Sequence, residues 1–575
     1  MGNFIEICPC STKTSPPLDS SPSLPQHSNT ASFPLSNYTE KQPSRTSADA
    51  LLNDETPLPR SLTDLRIQTK NVIKKRLDNP FDHYIKEKEL GSGSYGIVYK
   101  VSNKVSHISR ALKMIPKKYV ANGMDPKEIV TEINILRILD HPSIMRIFEF
   151  YEDTDNFYIV NELCDQGDFG EKLGDDETLP EFMVKYFMRQ ILEAIAYLHS
   201  KHVIHGDIKR ENILLCSKLE KGTDDFKSFI QTCKYDNDIH KWCNDPSIDK
   251  VNKKILMYLK QLSQYEVKLA DFGCAKMFNK QKLSGVIGTT YYCSPEVLEN
   301  NYREECDEWS CGVLMYVLLV GEPPFLGDSE DEIIDNILHE KLRLNVPGLR
   351  GVSQNCKNLI SLLLKKDPKE RLLAQDALKH PFFSDMNIFD DVIQEKVKMD
   401  LFNSLRSTLP HAKKSKFKDV VISYISLNFV KKDEEQRIKD IFKKISDDHS
   451  TYKIDLEQFV KCMLQSMDGN MSEEEAKNMF EVIDNDGNGY IEYQELIRAL
   501  SNKEKLLCEN NLKEAFEFFD SDKSNTISWE EINDVISGGG NKEENRQLME
   551  EFLNEIGKNA RDEITFEEFC SIVKD

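Results

Sequence analysis

Acidic, basic and amide side chains that could handle phosphate lie close together in one stretch of the sequence. HGDIKREN supplies Asp207, Lys209 and Asn212, and DFG supplies Asp271 further along the chain. Carboxylate and amide oxygens are suitable ligands for Mg²⁺. Asp207 can orient a hydroxyl group and accept its proton, and Lys209 can neutralise charge on a phosphate. The set predicts phosphoryl transfer, a reaction that depends mainly on positioning and charge neutralisation.

A glycine-rich segment, GSGSYGIV, lies ahead of this set at residues 91–98. Its three spaced glycines let the backbone approach phosphates without side-chain clashes. The same G-x-G-x-x-G pattern occurs in dinucleotide-binding turns, but those lead into a helix, whereas a strand-like segment (IVYKV) follows here. The residues that we expect to surround a nucleotide are Leu90, Gly91, Ser92, Gly93, Ser94, Tyr95, Gly96, Ile97, Val98, Lys113 and Glu162.

Further charged residues complete a pattern that resembles the protein kinase family over roughly half of the chain. Lys113 in RALK can hold the α- and β-phosphates, and Glu132 in a helical segment can pair with it. The resemblance also implies an ion pair between Glu296 in SPE and Arg371 in DPKERL. Asp307 in CDEWSCG is expected to anchor the catalytic loop from below. ATP and Mg²⁺ are the cofactors that this resemblance implies.

The sequence departs from the kinase pattern in two respects. Gly206 replaces the arginine that usually precedes the catalytic aspartate, and Gly285 stands at the usual phosphorylation site of the activation loop, next to Ser284. Because the charge pair is missing on both sides, we expect that activation-loop phosphorylation is not the usual switch. The second departure is Asn161, a polar residue at the back of the nucleotide pocket. Lys209 itself fits the serine/threonine type of the family.

Local sequence patterns indicate the elements that position these residues. Strand-like segments come first and helical segments follow, which predicts a two-lobed α+β kinase domain at residues 84–383. Residues 216–265 interrupt it with a polar stretch, expected to be an inserted surface loop with some helix near its end. Residues 1–80 are rich in Ser, Pro, Thr and Asn and are expected to form a disordered tail.

Composition excludes several classes of protein. The 575 residues carry a net charge of −22, which argues against a general nucleic-acid binder. The 14 cysteines lack paired spacing, so we expect no zinc site and a cytoplasmic protein with reduced thiols. We expect no secretory signal and no membrane-spanning segment, because the longest apolar run, at residues 313–320, suits a buried helix.

Four helix–loop–helix units follow residue 432. An apolar residue at the eighth loop position recurs at Ile454, Ile491, Ile527 and Ile564, with spacings of 37, 36 and 37 residues. Such a regular repeat indicates one module copied four times. We predict an all-α calmodulin-like domain at residues 433–575, with EF-hand units at about 434–468, 474–506, 510–543 and 546–575.

The second and third loops have the residues that an EF-hand needs to bind calcium. Such a loop offers oxygen ligands at positions 1, 3, 5 and 7, a turn residue at position 6 and a bidentate glutamate at position 12. Gly489 and Asn525 occupy the turn, and asparagine tolerates the left-handed conformation. The expected calcium ligands are Asp484, Asp486, Asn488, the Tyr490 carbonyl, Glu495, Asp520, Asp522, Ser524, the Thr526 carbonyl and Glu531.

The first and fourth loops lack this set. The first has Tyr452 at the turn and Gln458 in place of the bidentate glutamate. The fourth has Gly557 at position 1 and Arg561 at position 5, although Glu568 remains at position 12. A neutral amide or a cation among the ligands opposes calcium binding. We therefore predict two competent sites, with the other two loops acting as structural partners.

The connector at residues 384–432 is basic and helix-prone. Phe417, Val421 and Tyr424 are part of an apolar stripe at helical spacing that follows a group of lysines. Calmodulin-like domains grip helices of this kind. The alternative is a helix that packs only on the kinase domain. Both can hold if the helix moves between the two partners in different calcium states.

The order of kinase, basic junction and four EF-hands resembles the calcium-dependent protein kinases of plants and protists, over about residues 80–575. The resemblance implies a calcium-activated serine/threonine kinase that the junction inhibits and calcium releases. It also implies, through Asp168 in DQGDF, protein substrates with basic residues near the acceptor. The alternative is a calcium-sensing scaffold with a silent kinase fold, against which the complete set of catalytic residues argues.

The N-terminal sequence MGNFIEICPC suggests membrane contact through attached lipids. Gly2 is a candidate for myristoylation, and Cys8 and Cys10 are candidates for palmitoylation. Two such signals are needed for stable anchoring. Glu6 occupies a position where the myristoylation motif prefers serine or threonine, which weakens this expectation.

Overall fold

A computed structural model describes residues 73, 75–76, 78–93, 96–118, 126–174, 177–217, 226–234, 236, 253–278, 283–285, 287–384, 386, 416–446, 452–466, 471–485, 487–537, 557 and 562–574. Several predicted site residues lie outside this part of the chain. They are Gly2, Cys8, Cys10, Ser94, Tyr95 and Asp486.

A six-stranded sheet in the order β1-β5-β6-β4-β3-β2 forms the small lobe. Its neighbours are antiparallel, except that β1 and β5 are parallel. One apolar face is buried, and Val101 and Leu112 are fully inaccessible there. The strands and helices are β1 (Lys75–Arg76), α1 (Pro80–His83), β2 (Tyr84–Gly93), β3 (Gly96–Asn103), β4 (Ser109–Pro116), α2 (Pro126–Ile138), β5 (Ile147–Glu152) and β6 (Asn156–Asn161).

The small-lobe sheet begins earlier in the chain than predicted. Lys75 and Arg76 pair with Phe150 and Tyr151 of β5, and Ile73 is 5% exposed. The prediction of a disordered tail that reaches residue 80 is therefore wrong for these residues. A strand of two residues is too short to produce a periodic pattern, so its pairing depends on the sheet edge that it meets.

Helices dominate the large lobe, and nearly every residue of α8 is buried, as predicted for the run at residues 313–320. Short antiparallel pairs, β7 with β10 and β8 with β9, carry the catalytic segments. The elements are α3 (Phe169–Leu173), α4 (Glu181–Ser200), β7 (Val203–Ile204), β8 (Ile213–Ser217), α5 (Phe226–Lys234), α6 (Lys253–Leu262), β9 (Tyr265–Leu269), β10 (Lys276–Met277), α7 (Pro295–Leu298), α8 (Glu305–Val320), α9 (Glu330–His339), α10 (Gln354–Leu363) and α11 (Ala374–Ala377).

The predicted insert at residues 216–265 contains two packed helices, α5 and α6, in its described parts. Phe226 of α5 contacts Phe187 and Tyr265, with ring centroids 6.1 and 4.9 Å apart. Tyr258 of α6 is also buried. The expected helix near the end of the insert is confirmed by α6. The expectation of a surface loop was wrong for α5, whose apolar side is buried, because polar residues between the apolar positions masked an amphipathic helix.

The C-terminal part is helical with two short strand pairs. Ile454 pairs with Ile491, and Ile527 pairs with Ile564, which confirms the alignment of the four repeats. None of the described helices is long and apolar enough to cross a membrane. The elements are α12 (Lys416–Phe429), α13 (Lys432–Ile445), β11 (Lys453–Asp455), α14 (Leu456–Ser466), α15 (Glu473–Ile483), β12 (Tyr490–Glu492), α16 (Tyr493–Leu500), α17 (Lys503–Leu506), α18 (Glu509–Phe519), β13 (Thr526–Ile527), α19 (Trp529–Ser537), β14 (Ile564–Thr565) and α20 (Phe566–Lys574).

Cys164, in the segment after β6, lies beside Cys216 of strand β8, with Cα atoms 4.7 Å apart, within the range that a disulfide can bridge. The expectation of reduced thiols stays a prediction for this pair. The two cysteines are 52 residues apart in sequence, and only the fold brings them together.

Candidate active site and calcium sites

The glycine-rich segment forms the hairpin between β2 and β3. Gly93 pairs with Gly96 at the end of the two strands, and Gly91 pairs with Val98. Gly96 has no room for a side chain, because a Cβ there would lie 2.1 Å from the Met114 carbonyl oxygen. The hairpin therefore presents backbone rather than side chains at the place where phosphates are expected.

Lys113 on β4 lies between two carboxylates. Its Nζ is 3.1 Å from Glu132 Oε1 and 3.4 Å from Asp271 Oδ1, so the predicted pair with Glu132 is formed. Burial disfavours the charged lysine, but the two carboxylates outweigh it and raise the pKa of Lys113 above its ordinary value. The positive charge of Lys113 in turn lowers the pKa of Asp271, which keeps this carboxylate ionised and able to bind a cation.

Asp207 lies at the centre of a hydrogen-bonded group. Asn212 Nδ2 donates to Asp207 Oδ2 at 2.9 Å, and Thr289 Oγ1 donates to Asp207 Oδ1 at 3.0 Å. Lys209 Nζ lies 2.9 Å from Asp207 Oδ2 and donates to Thr289 Oγ1 at 3.0 Å. The three neighbours hold the carboxylate in one orientation. Thr289 is the member that sequence reasoning missed, although it lies in GTTYY directly after the activation loop.

Buried charges in the large lobe support the catalytic loop. Asp307 accepts hydrogen bonds from the backbone N–H groups of His205 and Gly206, both at 2.9 Å, which confirms the predicted anchor. Arg371 Nη2 donates to Glu296 Oε2 at 2.9 Å, which confirms the second predicted pair. Charge-assisted bonds of this kind are stronger than neutral ones and hold the loop in place.

Gly206 has a left-handed backbone conformation, with φ of 78°. A Cβ on this residue would lie 2.5 Å from Cδ1 of Ile287. An arginine here would therefore meet both backbone strain and a steric clash. Glycine therefore suits the left-handed conformation of this loop.

The hinge between the lobes carries Asn161 and Glu162. Asn161 is 8% exposed, and its Oδ1 is buried with no hydrogen-bond partner among the described residues. A buried acceptor of this kind can receive a hydrogen bond from a ligand. Glu162 pairs with Lys268 at 2.9 Å and donates its backbone N–H to the Arg146 carbonyl at 2.9 Å. The backbone carbonyl of Glu162 is thus the group left for a nucleotide.

These residues fit Mg²⁺ and ATP. The side chain of Asp271 is 45% exposed. Asn212 uses its amide nitrogen toward Asp207, which leaves its amide oxygen for a cation. A hard cation takes oxygen ligands of this kind. Lys113 supplies the positive charge that phosphates require.

The third EF-hand loop brings three carboxylates together. Oxygens of Asp520, Asp522 and Glu531 lie within 4.8 Å of one another. Glu531 also accepts a hydrogen bond from the Ser521 N–H at 2.6 Å, which fixes its position. Asn525 has φ of 66°, the left-handed conformation expected at the turn. Like charges held this close suit a divalent cation between them, and the oxygen ligands fit Ca²⁺.

The second loop has the same internal bonding in its described residues. Asp484 accepts hydrogen bonds from the N–H groups of Asn488 and Gly489, both at 3.0 Å. Glu495 at position 12 accepts from the Asn485 N–H at 2.8 Å, as its counterpart does in the third loop. The arrangement therefore also fits Ca²⁺.

The described ends of the first and fourth loops share one hydrogen bond at position 12. Gln458 accepts from the Asp455 N–H at 3.0 Å through its amide oxygen. Glu568 makes the equivalent bond with the Thr565 N–H at 3.0 Å. In both loops the side chain at position 12 thus accepts a hydrogen bond from a backbone N–H group. In the first loop this side chain is a neutral amide, which offers a metal ion no negative charge.

Helix α12 of the junction lies between helices of the EF-hand domain. Tyr424 stacks on Phe518 with ring centroids 4.3 Å apart. Phe417 contacts Phe519 and Phe569, both at 5.7 Å. The apolar stripe that the sequence predicted is therefore buried by EF-hand helices.

The EF-hand domain and the junction also contact the kinase domain, on the small lobe and beside the hinge. None of the contacts that the structure describes between them involves Asp207, Lys209 or Asn212. The polar contacts include Arg110 with Asn428, Asp140 with Gln494, Arg146 with Glu435, Lys201 with Glu492, Glu266 with Lys439, Glu193 with Lys443 and Asp78 with Lys523.

Comparisons with known proteins agree with this geometry. The family described as protein kinase domain matches residues 84–243 and 249–383, just over half of the chain. The EF hand domain matches residues 475–503, and the EF-hand domain pair matches residues 509–574.

Curated relatives align with most of this chain. Calcium-dependent protein kinase 4 of Plasmodium berghei (strain Anka) is 29% identical over 514 residues, covering 88% of this chain and 87% of that protein. Calcium-dependent protein kinase 19 of Arabidopsis thaliana is 29% identical over 511 residues, covering 87% of this chain and 82% of that protein. From the catalytic group and the extent of the match, the chain belongs to the protein kinase domain family and carries EF-hands in its C-terminal part.

Proposed function

We propose that this protein is a calcium-activated serine/threonine protein kinase that transfers the γ-phosphoryl group of ATP to hydroxyl groups of protein substrates. The observation that carries the proposal is the group in which Lys209, Asn212 and Thr289 hold the carboxylate of Asp207. A carboxylate fixed in this way can orient a hydroxyl group and accept its proton as the phosphoryl group moves.

The remaining active-site residues bind the nucleotide. Asp271 and Asn212 would hold Mg²⁺, which supplies neutralising charge to the phosphates when bound. Lys113, kept charged by Glu132, pairs with the α- and β-phosphates. Lys209 is close enough to Asp207 to neutralise charge on the transferred group.

Calcium acts through the junction helix α12. With the second and third loops loaded, the EF-hand helices cover Phe417 and Tyr424, and the substrate side of the kinase is open. Without calcium the clustered carboxylates repel one another, and the lobes lose the shape that holds the helix. The released helix then binds the kinase domain and inhibits it. This proposal is supported by the buried apolar stripe of α12, which requires either the EF-hand domain or the kinase domain to cover it.

The activation loop is held by protein groups in place of a phosphate. Leu283 pairs with Tyr302 through backbone hydrogen bonds. Gly285 donates its N–H to the Asn300 side chain, and Lys276 Nζ lies 3.4 Å from the Ser284 carbonyl oxygen. These contacts support a kinase in which calcium, and not activation-loop phosphorylation, is the main switch.

Substrates with basic residues near the acceptor suit an acidic surface beside the catalytic loop. A Cβ on Gly170 would lie 3.0 Å from Asp168 Oδ1 and 3.1 Å from Glu211 Oε1, so both carboxylates border this glycine. Glu171 is exposed on the same turn of helix. Three carboxylates in one region attract arginine or lysine side chains. A peptide array without any preference for basic residues would contradict this assignment.

The protein acts in the cytoplasm and, if its N-terminus carries lipids, at membranes. This part of the proposal is supported by Gly2, Cys8 and Cys10 in the sequence. Two attached chains give stable anchoring, whereas a single myristoyl chain gives only reversible binding. Mass measurement of the N-terminal peptide from native cells tests it, and an unmodified peptide would exclude lipid anchoring.

Purified full-length protein tests the main proposal. The assay contains ATP, Mg²⁺ and a basic serine peptide, with calcium or with a chelator. We expect transfer only with calcium, and none from the Asp207→Asn variant in either condition. Transfer in neither condition would favour a calcium-sensing scaffold, and equal transfer in both would exclude the calcium switch.

A further inference from the structure

The first EF-hand loop carries a bulky residue at its turn. Tyr452 has φ of 50°, a left-handed conformation that large side chains rarely adopt. Its side chain is nevertheless only 2% exposed. A strained backbone of this kind persists only when surrounding contacts stabilise it.

Part of that contact comes from the kinase domain. The Tyr452 ring meets the ring of His141 edge-on, with centroids 4.0 Å apart. On the other side it stacks on Phe442 of α13, at 5.4 Å and an interplanar angle of 9°. His141 in turn lies 5.2 Å from Tyr197 of α4. Tyr452 therefore links aromatic residues of both domains.

The kinase side of this contact is buried and uncharged. His141 is 5% exposed, and burial lowers the pKa of His141 well below its ordinary value. Its Nδ1 accepts a hydrogen bond from the Ser143 N–H at 3.0 Å, and its Nε2 has no hydrogen-bond partner among the described residues. A neutral imidazole is a suitable partner for an aromatic ring.

Polar contacts surround this aromatic centre. Lys443 Nζ lies 3.6 Å from Glu193 Oε2. Asp140 accepts a hydrogen bond from the Gln494 N–H at 2.8 Å. An apolar centre with a polar rim is the usual arrangement of a specific protein interface.

We propose that the first EF-hand loop is a docking element that binds the kinase domain instead of calcium, with Tyr452 as its anchor. The loop has exchanged the residues that a metal needs for a side chain that reaches the partner. Gln458 offers no bidentate carboxylate, and Tyr452 stands at the turn position. Calcium then acts through the second and third loops, while the first holds the N-terminal EF-hand lobe on the kinase. The consequence for activity rests on the proposed function, but the docking itself does not.

Amide hydrogen exchange of the full-length protein in calcium tests the docking. In Tyr452→Ala we expect exchange in the kinase turn at residues 139–145 to rise about tenfold or more, because the covering ring is lost. Tyr452→Phe keeps the ring and should remain protected. Leu456→Ala, at a side chain 39% exposed in the same EF-hand, is the matched control and should change nothing. Unchanged protection of residues 139–145 in Tyr452→Ala would overturn the proposal.

A kinase-side variant covers the case in which Tyr452→Ala disturbs the EF-hand itself. Faster exchange in α14 (Leu456–Ser466) would reveal such a disturbance. In that case the His141→Ala variant tests the docking from the kinase side. Docking requires faster exchange at residues 452–455 while α14 stays protected, and no change at residues 452–455 contradicts the proposal.

Calcium titration by calorimetry separates docking from metal binding. We expect two calcium ions per chain in the wild type and in Tyr452→Ala, with calcium-stimulated transfer reduced several-fold in the variant. Calcium in the first loop of the wild type would overturn the proposal. A wild type without calcium-stimulated transfer would contradict the proposed function, and the exchange measurements would still decide the docking.

Discussion

Arg146 of the kinase domain and Glu435 of the EF-hand domain form an ion pair, with Nη2 and Oε1 2.7 Å apart. Their side chains are 16% and 20% exposed, so water screens the pair only in part. The Arg146 carbonyl also accepts the N–H of Glu162 in the hinge. The pair therefore joins the EF-hand domain to the segment that borders the nucleotide.

Glu435→Gln should destabilise the full-length protein by about 1–3 kcal/mol, because the largely buried Arg146 loses its main counter-charge. Chemical denaturation of the full chain measures this. Glu473→Gln is the matched control, since Glu473 and Lys477 form an exposed pair that water screens, so its loss should change stability little. Equal effects of the two substitutions would show that the interdomain pair contributes no more to stability than an exposed pair.

The stability of the protein should depend on pH through Glu514. Burial and the nearby carboxylates of Glu149 and Glu517 raise the pKa of Glu514 to about 7, from an ordinary value of 4.5. The folded chain therefore binds a proton that the unfolded chain has released, and stability falls as the pH rises from 4.5 to about 7. Glu514→Gln stays neutral, so it should be more stable than the wild type above this range and show less pH dependence.

Denaturation midpoints measured between about pH 5 and 8 test this prediction. Asp140 has a pKa of about 6, raised by burial and by Glu492, and acts in the same direction. Because Asp140 still titrates in the variant, Glu514→Gln should retain some pH dependence. Its stability profile is therefore compared with that of the wild type. Parallel wild-type and Glu514→Gln profiles would contradict the assignment.

Glu531→Gln should remove calcium binding by the third loop. The substitution removes the Glu531 carboxylate, which belongs to the cluster of three and is also the bidentate ligand at position 12. We expect the stoichiometry to fall from two ions to one in a calorimetric titration. Glu568→Gln changes the same position in the fourth loop and should leave the stoichiometry at two. A loss on Glu568→Gln would mean that the fourth loop binds calcium after all.

Gly206→Arg should not restore regulation by phosphorylation. The residue has φ of 78°, and its side-chain position is occupied by Ile287. We expect a loss of about 1–3 kcal/mol from backbone strain, with a smaller addition because the arginine displaces the end of the Ile287 side chain. Gly351→Arg is the control, because φ is 82° there while a Cβ would have no described atom within 4 Å, so only the strain applies. Thermal unfolding of both variants measures the difference.

The sequence by itself determined the chemistry of both sites. Asp207, Lys209 and Asn212 lie in one loop, so their relative positions follow from local backbone geometry. The calcium ligands likewise lie within single loops, and the constant repeat length identified the module. Patterns of this kind are readable because the interacting residues are neighbours in the chain.

Motifs predicted the distant pairs Lys113–Glu132 and Glu296–Arg371, but only the tertiary structure revealed other contacts between distant residues. Thr289 reaches Asp207, Cys164 reaches Cys216, and Tyr452 reaches His141 across long stretches of sequence. The edge strand at Lys75–Arg76 and the helices of the insert also depend on surfaces that other segments provide. Such contacts form because burial against a particular partner offsets the entropy of ordering the chain, and no local pattern records which partner that is.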